Sequence, residues 1–355
     1  MLQKLLERNP WRMANAMRRD PAPIPVVVCV DVEPDTRHVA RDGRPPWRGY
    51  AATVELLDEW RSRLEAATGR PVRWAWFLRM DPSIADGYGT PAWAVAHAPA
   101  RAERLTLAGD ALGLHVHCVR WGADESEWIV DHGDPDWVAH CLDVGFAAYR
   151  DALGRACTLL RIGDRFLDEA TLEVVARLGV RIDLTMEPGL PPHPLGNLND
   201  RRTGVFPDFR AYPRVPYRPS RTDLRVPASP EHDGTWLLPV TTGAVTDTEA
   251  LPAPPLHAAS IGAGMPAYER LGLWHSPEVF RRIVQQVLAE NRRAPYLVAV
   301  MRASHTVTGA RDTIAANLEF LRTHPLVSRF AFTTPEAALE AATAPAGDGP
   351  ESSSS

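Results

Sequence analysis

The chain has 355 residues, of which 45% are hydrophobic and 23% are charged, and its formal net charge is −5 at pH 7. This composition is that of a folded globular protein and excludes a disordered, collagenous or coiled-coil chain. The acidic balance excludes the strong positive field that attracts nucleic acid or an anionic membrane, so we expect neither as a partner. The length suits one large α/β barrel with insertions, or two ordinary domains.

Short apolar runs alternate with amphipathic helices along the chain. Residues 25–30 are continuously apolar and β-branched, which predicts a strand buried on both faces. Further strands are predicted at 72–78, 111–117, 157–162, 180–185, 236–240, 296–301 and 329–333, with helices at 51–67, 91–108, 136–153, 169–178 and after Ser276. This alternation predicts a parallel sheet with right-handed crossovers. Seven or eight such units favour a closed or nearly closed barrel over an open doubly wound sheet.

Three segments fall outside this rhythm. Residues 1–24 are predicted as an N-terminal helical extension, and residues 343–355 as a disordered polar tail. Residues 25–342 between them are predicted as a single barrel. Ten prolines between Pro188 and Pro230 mark an insertion, placed at 188–235, whose aromatic residues indicate that it packs over the barrel mouth.

The cellular compartment is predicted from the cysteines and the N-terminus. The four cysteines lie far apart and form no CxxC pair, which excludes a zinc knuckle or a thioredoxin motif. Most lie in apolar segments, as buried thiols do in a reducing compartment. Residues 1–20 lack the apolar core of a signal peptide, and no apolar run reaches the roughly 18 residues that span a bilayer. We therefore expect a cytoplasmic protein.

Titratable residues follow four of the predicted strands, at the edge where barrel active sites form. They are Asp31 and Glu33, then His115 and His117, then Arg161, Asp164 and Arg165, and finally Arg302 and His305. Residues two apart in an extended segment point the same way, so each of the first two pairs can face one site. One carboxylate and two imidazoles make a ligand set for a divalent ion, best Zn²⁺, with Co²⁺ or Ni²⁺ as alternatives. The second carboxylate is then free to act as a base.

Three segments resemble motifs of the NodB-type polysaccharide deacetylases, namely CVDVEPD, GLHVHCVRW and RIGDRFLDEATLEVVARLGVRIDLTMEPG. These proteins are metal-dependent hydrolases on a distorted (β/α) barrel. The resemblance covers residues 25–190 well, and beyond them it consists only of the alternation of predicted strands and helices. It implies that Asp31 is the catalytic base, with Arg161 beside it. Glu33 and His115 would bind the metal. His305 is the nearest match to the family's general acid.

The sequence departs from the family pattern at several points. The histidines are spaced HxH instead of HxxxH, and Val119 stands four residues after His115, so His117 is assigned as a ligand by strand geometry alone. The metal acid is Glu33, where the family has Asp. No fourth motif is recognisable. His305 lies in RASHTV instead of the family's Leu-x-His.

The resemblance implies hydrolysis of an amide, foremost removal of an N-acetyl group from a sugar or glycoconjugate precursor. Asp31 would take a proton from the attacking water, while Arg161 keeps it ionised. A protonated His305 would protonate the leaving amine. Four further residues are predicted to bind a small-molecule or oligosaccharide substrate: Asp164, Arg165, Trp121 and Arg302. The sequence leaves the oligomeric state open.

Structural alternatives exist for each of these residues. Acidic residues after a buried strand often only cap a turn. Arg161 could belong to a structural network with Asp164 or Asp183, and His305 could lie at the surface. Two other functions also stay open. A non-catalytic carbohydrate-binding barrel would keep its sugar affinity after chelation, and an amidohydrolase of non-sugar amides would prefer those in a substrate screen.

Overall fold

A computed structural model describes residues 22–36, 46–123, 126–194, 205–229, 231–245, 267–290 and 295–343. The strands are β1 Ile24–Val32, β2 Ala75–Arg79, β3 Ala111–Val116, β4 Val119–Gly122, β5 Glu127–Val130, β6 Leu159–Ile162, β7 Ile182–Asp183, β8 His193–Pro194, β9 Val205–Phe206, β10 Trp236–Leu237, β11 Thr242–Val245, β12 Ala267–Arg270, β13 Leu297–Arg302 and β14 Phe330–Phe332. The helices are α1 Arg48–Thr68, α2 Pro82–Tyr88, α3 Trp93–Ala96, α4 Pro99–Leu107, α5 Pro135–Leu153, α6 Glu169–Arg177, α7 Pro277–Glu290, α8 Arg311–Thr323 and α9 Pro335–Thr343. Short 3₁₀ helices lie at Gly163–Arg165, Ala303–Thr306 and Val327–Arg329. None of the helices in these ranges is both long enough and apolar enough to cross a membrane.

The main sheet is parallel throughout. Its strands lie in the order β10-β7-β6-β3-β2-β1-β13, and β14 pairs with the first residues of β1. Helices separate most consecutive strands, as right-handed crossovers require. This arrangement confirms the alternating α/β architecture predicted from the sequence.

The two edges of the sheet are joined by an irregular segment that follows β10. Leu238 and Val240 donate backbone hydrogen bonds to Asp183 and Met186 at one edge. Thr241 N then donates to Val298 O of β13 at the other edge, over 3.0 Å. The ring of strands is therefore completed by backbone that lacks regular ladder pairing. This is the distorted (β/α) barrel that the sequence predicted.

Side-chain alternation along β1 separates an inner from an outer core. Every residue of this strand is buried, as expected for a parallel strand covered on both faces. Val26, Val28 and Val30 pack in the large cluster beneath the helices. Val27 and Cys29 pack in the smaller cluster enclosed by the strands. Odd-numbered residues of β1 therefore face the barrel interior, and the strand carries this alternation to its carboxyl end.

The helix predicted over residues 91–108 is two helices in the structure, α3 and α4. The break falls at Ala98, whose backbone angles of φ −140° and ψ 61° are not helical. The cause is Pro99, because the proline ring disfavours helical geometry in the residue before it. Two antiparallel pairs, β4–β5 and β11–β12, were also not predicted.

The described part of the proline-rich insertion packs against the barrel. Phe209 is fully buried, and Tyr217 exchanges two backbone hydrogen bonds with Leu237 of β10. A short antiparallel pair, β8–β9, lies at the ends of the undescribed residues 195–204. The proposed helical extension lies largely outside the described residues, and β1 already includes Ile24. The disordered tail lies outside them apart from Thr343, which ends α9, so the domain boundaries stay predictions.

The N-terminus of α1 approaches the turn that carries His305. A Cβ at Gly49 would lie 2.6 Å from both Ala303 O and Ser304 Cα. We expect Gly49→Ala to lower the free energy of unfolding by about 1–3 kcal/mol, because two backbone segments must separate. Gly133→Ala is the matched control, since its Cβ would meet only Asp131 Oδ1 at 3.7 Å. Denaturant unfolding of both variants tests this, and equal stabilities would contradict the close approach.

Candidate metal centre and active site

The carboxyl ends of β1 and β3 bring four titratable side chains together. Asp31 and Glu33 continue the inward-facing positions of β1, and His115 and His117 do the same at the end of β3. All four are buried, with exposed fractions of 1–6%. The alternation that builds the inner core thus also points both pairs into the mouth of the barrel.

Three of these side chains form a compact candidate metal centre. One ligand atom each from Glu33, His115 and His117 lies within 4.8 Å of the others. The Nε2 atoms of the two histidines are 3.0 Å apart, and His117 Nε2 is 3.4 Å from Glu33 Oε2. A tetrahedral ion with bonds of about 2.0–2.1 Å holds its ligand nitrogens about 3.3 Å apart, close to these separations.

The hydrogen bonds of the two rings decide which nitrogen carries the proton. His115 Nδ1 donates to the backbone oxygen of Arg161 over 2.7 Å, and His117 Nδ1 donates to Asp164 Oδ2 over 3.1 Å. Both partners accept, so each ring carries a proton on Nδ1, and in the neutral form of each ring Nε2 carries a lone pair. Two lone pairs that face each other across 3.0 Å repel unless a cation lies between them. The residues therefore fit a divalent ion.

The charge state of His117 also suits metal binding. Burial, together with the nearby Arg79 guanidinium, holds its pKa well below the usual range. The ring is therefore neutral at pH 7, which is the form that ligates a metal. The carboxylate of Asp164 on its far nitrogen fixes the orientation of the ring, as carboxylate partners of metal-binding histidines do.

Glu33 is held by two arginines as well as by the histidine. Arg79 NH1 lies 3.3 Å from Oε2, and Arg302 Nε lies 3.1 Å from Oε1. Burial alone would raise the pKa of Glu33, but Arg302 and His117 hold that pKa well below its usual range. Glu33 is thus an ionised ligand whose charge is shared with two guanidiniums. Arg302 contacts this carboxylate, and its predicted role in binding substrate stays a prediction.

Asp81 supports both Glu33 and His117, and sequence reasoning missed it. Its Oδ2 accepts from Arg79 Nε over 2.8 Å and from the backbone N–H of His117 over 3.1 Å. Its Oδ1 caps α2 by accepting from the backbone N–H of Ser83. The sequence signal was an Asp–Pro pair three residues after the predicted strand 72–78, which indicates a helix start and nothing about a site.

Asp31 lies beside the metal centre and pairs with Arg161. Arg161 Nε is 2.9 Å and 3.2 Å from the two carboxylate oxygens. Arg161 NH1 donates to the backbone oxygen of Leu184 over 2.8 Å, and NH2 lies 3.5 Å from Glu187 Oε1. The arginine is therefore fixed from two sides, and it fixes Asp31 at the barrel mouth. Asp31 Oδ1 is 3.9 Å from His115 Nδ1.

The turn after β6 has a strained backbone. Asp164 and Arg165 are consecutive non-glycine residues with φ of 54° and 58°. Such left-handed residues cost of the order of 1 kcal/mol each and cluster at functional sites. Gly163 precedes them because a Cβ there would overlap the ring of His117. This conformation directs Asp164 onto His117 and buries the side chain of Arg165.

His305 and Trp121 were also predicted from sequence. His305 Nδ1 accepts from the backbone N–H of Arg302 over 3.2 Å, and its ring packs on Trp274 at 4.6 Å. Burial, reinforced by Arg302, lowers the pKa of His305 to about 3, so the ring is neutral at pH 7. This differs from the protonated ring that the predicted acid role assumed. Trp121 packs edge-on against Trp128 in the hairpin that follows the histidines.

A second group of charged residues beside the centre was not predicted. Glu187 lies between Arg161 and Arg270, and Glu269 lies 3.6 Å from His275 Nε2. Glu187 lies two residues after the predicted strand 180–185, whereas Glu269 and Arg270 lie in β12, where no strand was predicted. Isolated charges in such segments carry no spacing signal. Only the fold shows that they meet.

Comparison with known proteins identifies the fold. No family model matches the sequence, and no curated protein matches it. Among solved structures, a candidate glycoside hydrolase/deacetylase from Parabacteroides distasonis matches with a TM-score of 0.54 and 12% identity, over 88% of this chain and 70% of that chain. The chain has the deacetylase-type barrel fold. This confirms, at the level of fold, the resemblance noted in the sequence.

Two other matches are candidate polysaccharide deacetylases. The one from Pseudomonas aeruginosa PAO1 has a TM-score of 0.49 and 12% identity, over 90% of this chain and 91% of that chain. The one from Mycobacterium smegmatis has a TM-score of 0.46 and 12% identity, over 91% of each chain. At this identity a likeness extends to the fold alone. The roles of the site residues are therefore argued from the geometry of this deacetylase-type barrel.

The first prediction for the site concerns Asp164. Its carboxylate fixes the Nδ1–H of His117, so Asp164→Asn should weaken Zn²⁺ affinity about 10–100-fold without unfolding the chain. Chelator competition would measure this. Asp168→Asn is the matched control, because Asp168 only caps α6 and an asparagine caps equally well. Unchanged affinity in Asp164→Asn would show that the charge of Asp164 does not strengthen His117 as a ligand.

A second prediction concerns Asp183, which is buried behind Arg161. Its carboxyl accepts from the backbone N–H and the hydroxyl of Thr185, and burial raises its pKa from 3.8 to about 7. Between these values the folded state binds a proton that the unfolded state has lost. This contribution to stability is therefore present at low pH and is lost as pH rises through about 7.

Asp183→Asn removes this dependence. Between pH 5 and pH 8, we expect the free energy of unfolding of the parent to fall by about 1–3 kcal/mol relative to the variant. Denaturant titrations of both proteins at the two pH values measure this change. Groups that titrate in both proteins cancel when the variant is subtracted from the parent. Parallel pH profiles would refute it.

Proposed function

We propose that this chain is a metal-dependent hydrolase that cleaves a C–N amide bond and removes an N-acetyl group from a cytoplasmic sugar or glycoconjugate precursor. The observation that carries the proposal is the adjacency of two units at the barrel mouth. One is the Glu33–His115–His117 set, whose facing nitrogens fit a cation. The other is the Asp31–Arg161 pair beside it. Zn²⁺ is the ion we propose, with Co²⁺ and Ni²⁺ as alternatives.

The roles of the residues follow from their contacts. A divalent ion in the centre would supply Lewis acidity toward the amide carbonyl and toward water. Asp31 would take the proton of the attacking water, since it is the carboxylate next to the centre that is not among the ligands. Arg161 would hold Asp31 in place through Nε. Asp164 and Asp81 would orient the ligands by binding the ring and the backbone of His117.

The leaving amine must receive a proton, and the neutral state of His305 bears on its source. Because Nδ1 of His305 accepts from Arg302 N, its proton lies on Nε2. A neutral imidazole is a weak acid but a good hydrogen-bond donor. We propose that Asp31 passes the proton it has taken to the leaving nitrogen, and that His305 donates a hydrogen bond to the substrate.

A non-catalytic carbohydrate-binding barrel is the second candidate function. The observation that favours it is the pairing of Glu33 with both Arg79 and Arg302. Two guanidiniums neutralise a carboxylate that would otherwise attract a cation, and such a charge balance is stable without metal. Metal content therefore separates the two candidates.

The test of the metal centre is direct. In protein purified without chelator, mass spectrometry should find about one divalent ion per chain, and His115→Ala and Glu33→Ala should both lose it. These ligands are buried, so circular dichroism must first show that the variants fold. Absence of metal in the parent, even after loading with Zn²⁺, Co²⁺ or Ni²⁺, would favour the binding barrel.

The test of catalysis uses Asp31→Asn. This variant should keep its metal, because Asp31 is not a ligand, and should lose about 10²–10⁴-fold in kcat. Acetate release from N-acetylated sugars and from cyclic and linear amides would identify the substrate class. Asp143→Asn, an exposed acid of α5, is the control. Full activity in Asp31→Asn would remove the base from the mechanism.

A further inference from the structure

Arg165 is a buried cation with an unused hydrogen-bonding edge. The residue is 5% exposed, and its NH1 atom has no hydrogen-bond partner among the described residues. A guanidinium carries five N–H donors, and a buried one normally has them satisfied by acceptors. The NH1 donors of this buried arginine are therefore available to an acceptor from outside the chain.

The nearest anion does not neutralise Arg165 fully. Glu187 is shared by three guanidiniums, with nitrogen–oxygen distances of 3.2 Å to Arg270, 3.5 Å to Arg161 and 3.7 Å to Arg165. Arg161 has Asp31 as a second carboxylate, and Arg270 has Glu269. Among the ion pairs of the described residues, Arg165 has only its contact with Glu187, and at 3.7 Å this is the longest of the three contacts that Glu187 makes with arginines. In agreement, burial and the charge of Arg270 lower the pKa of Arg165 to about 10.

The position of Arg165 links this edge to the candidate active site. The preceding residue, Asp164, binds the ring of His117, and Glu187 joins Arg165 to the arginine that holds Asp31. Both residues of this turn have left-handed backbones, a strain that a structural arginine would not require. The guanidinium also lies 4.5 Å from the ring centroid of Phe206. Stacking covers one face of the group and leaves the in-plane donors for a ligand.

The chemistry of the edge selects the class of ligand. A guanidinium fork matches the two oxygens of a carboxylate. A dianion such as a phosphate ester would face stronger repulsion from the nearby carboxylate of Glu187. We propose that Arg165 forms a carboxylate-binding subsite beside the candidate metal centre, and that the substrate is an acylated amine that also carries a carboxylate, such as an N-acetylated amino uronic acid.

This inference rests on the proposed function for the identity of the substrate, but the subsite can be tested by binding alone. Calorimetric titration of the full chain should show that glucuronate binds and that glucose at the same concentration does not. Glucose 6-phosphate should bind more weakly than glucuronate. Arg165→Gln should lower the affinity for glucuronate at least about tenfold, as expected for loss of a charged hydrogen-bonded pair.

The matched control is Arg210→Gln. Arg210 is an exposed arginine of the same insertion that carries Phe206, and it pairs with Asp208. This variant should bind glucuronate as the parent does. If Arg165→Gln fails to fold, Arg165→Lys keeps the charge and removes the fork, and its affinity should fall too. Equal binding of glucuronate and glucose by the parent would overturn the proposal whatever the variants do.

Kinetics with matched substrates extends the test. Arg165→Gln should raise KM for N-acetylglucosaminuronate at least about tenfold, and should raise KM for N-acetylglucosamine much less. Tighter binding of glucose 6-phosphate than of glucuronate would assign the subsite to phosphate and overturn the carboxylate. If glucuronate binds through Arg165 but no amide is hydrolysed, the hydrolase proposal fails and the subsite stands. If amides are hydrolysed and Arg165→Gln has no effect, the subsite proposal fails and the hydrolase proposal stands.

Discussion

The arrangement of the barrel mouth depends on two imidazole nitrogens, Nε2 of His115 and Nε2 of His117, that face each other across 3.0 Å. The far nitrogens of His115 and His117 are committed to donate, one to the backbone of Arg161 and one to Asp164. The near nitrogens are left as lone pairs 3.0 Å apart. Both of these hydrogen-bond partners also contact or adjoin another part of the site. Arg161 binds Asp31, and Asp164 lies in the strained turn next to Arg165. The ligands, the base and the candidate subsite are therefore parts of one network.

Charge balance explains why this network can be buried. Among the residues that the structure describes, five arginines surround the mouth, and each ion-pairs with at least one buried carboxylate: Arg79, Arg161, Arg165, Arg270 and Arg302. A buried ion pair offsets its desolvation cost only when its geometry and hydrogen bonds are nearly complete. That condition is met for Arg79 and Arg161, which bind two partners each at short range. It is not met for Arg165, and this contrast distinguishes a ligand-binding cation from a structural one.

Much of the centre could be predicted because it follows from alternation within single strands. Asp31, Glu33, His115 and His117 are pairs at spacing two after apolar runs, so their common orientation is a local property. Arg79, Asp81, Glu187 and Arg270 could not be found in this way. The contacts that bring them to the site are long-range: Arg79 to Glu33 spans 46 residues, Asp81 to His117 spans 36 and Arg270 to Glu187 spans 83, and no local pattern encodes such pairings. The split of the predicted helix at Pro99 has the opposite cause, a local rule that the apolar periodicity concealed.

The arginines that pair with Glu33 and the lone pairs of the histidines have opposite effects on metal binding at the centre. The guanidiniums of Arg79 and Arg302 disperse the charge of the carboxylate, which weakens it as a ligand. The facing imidazole nitrogens are unfavourable until a cation arrives. Removing either arginine would strengthen the carboxylate but leave a buried anion less compensated in the metal-free protein. The arrangement therefore fits a centre that tolerates the absence of its ion and binds it chiefly through the histidines, with Glu33 completing the set.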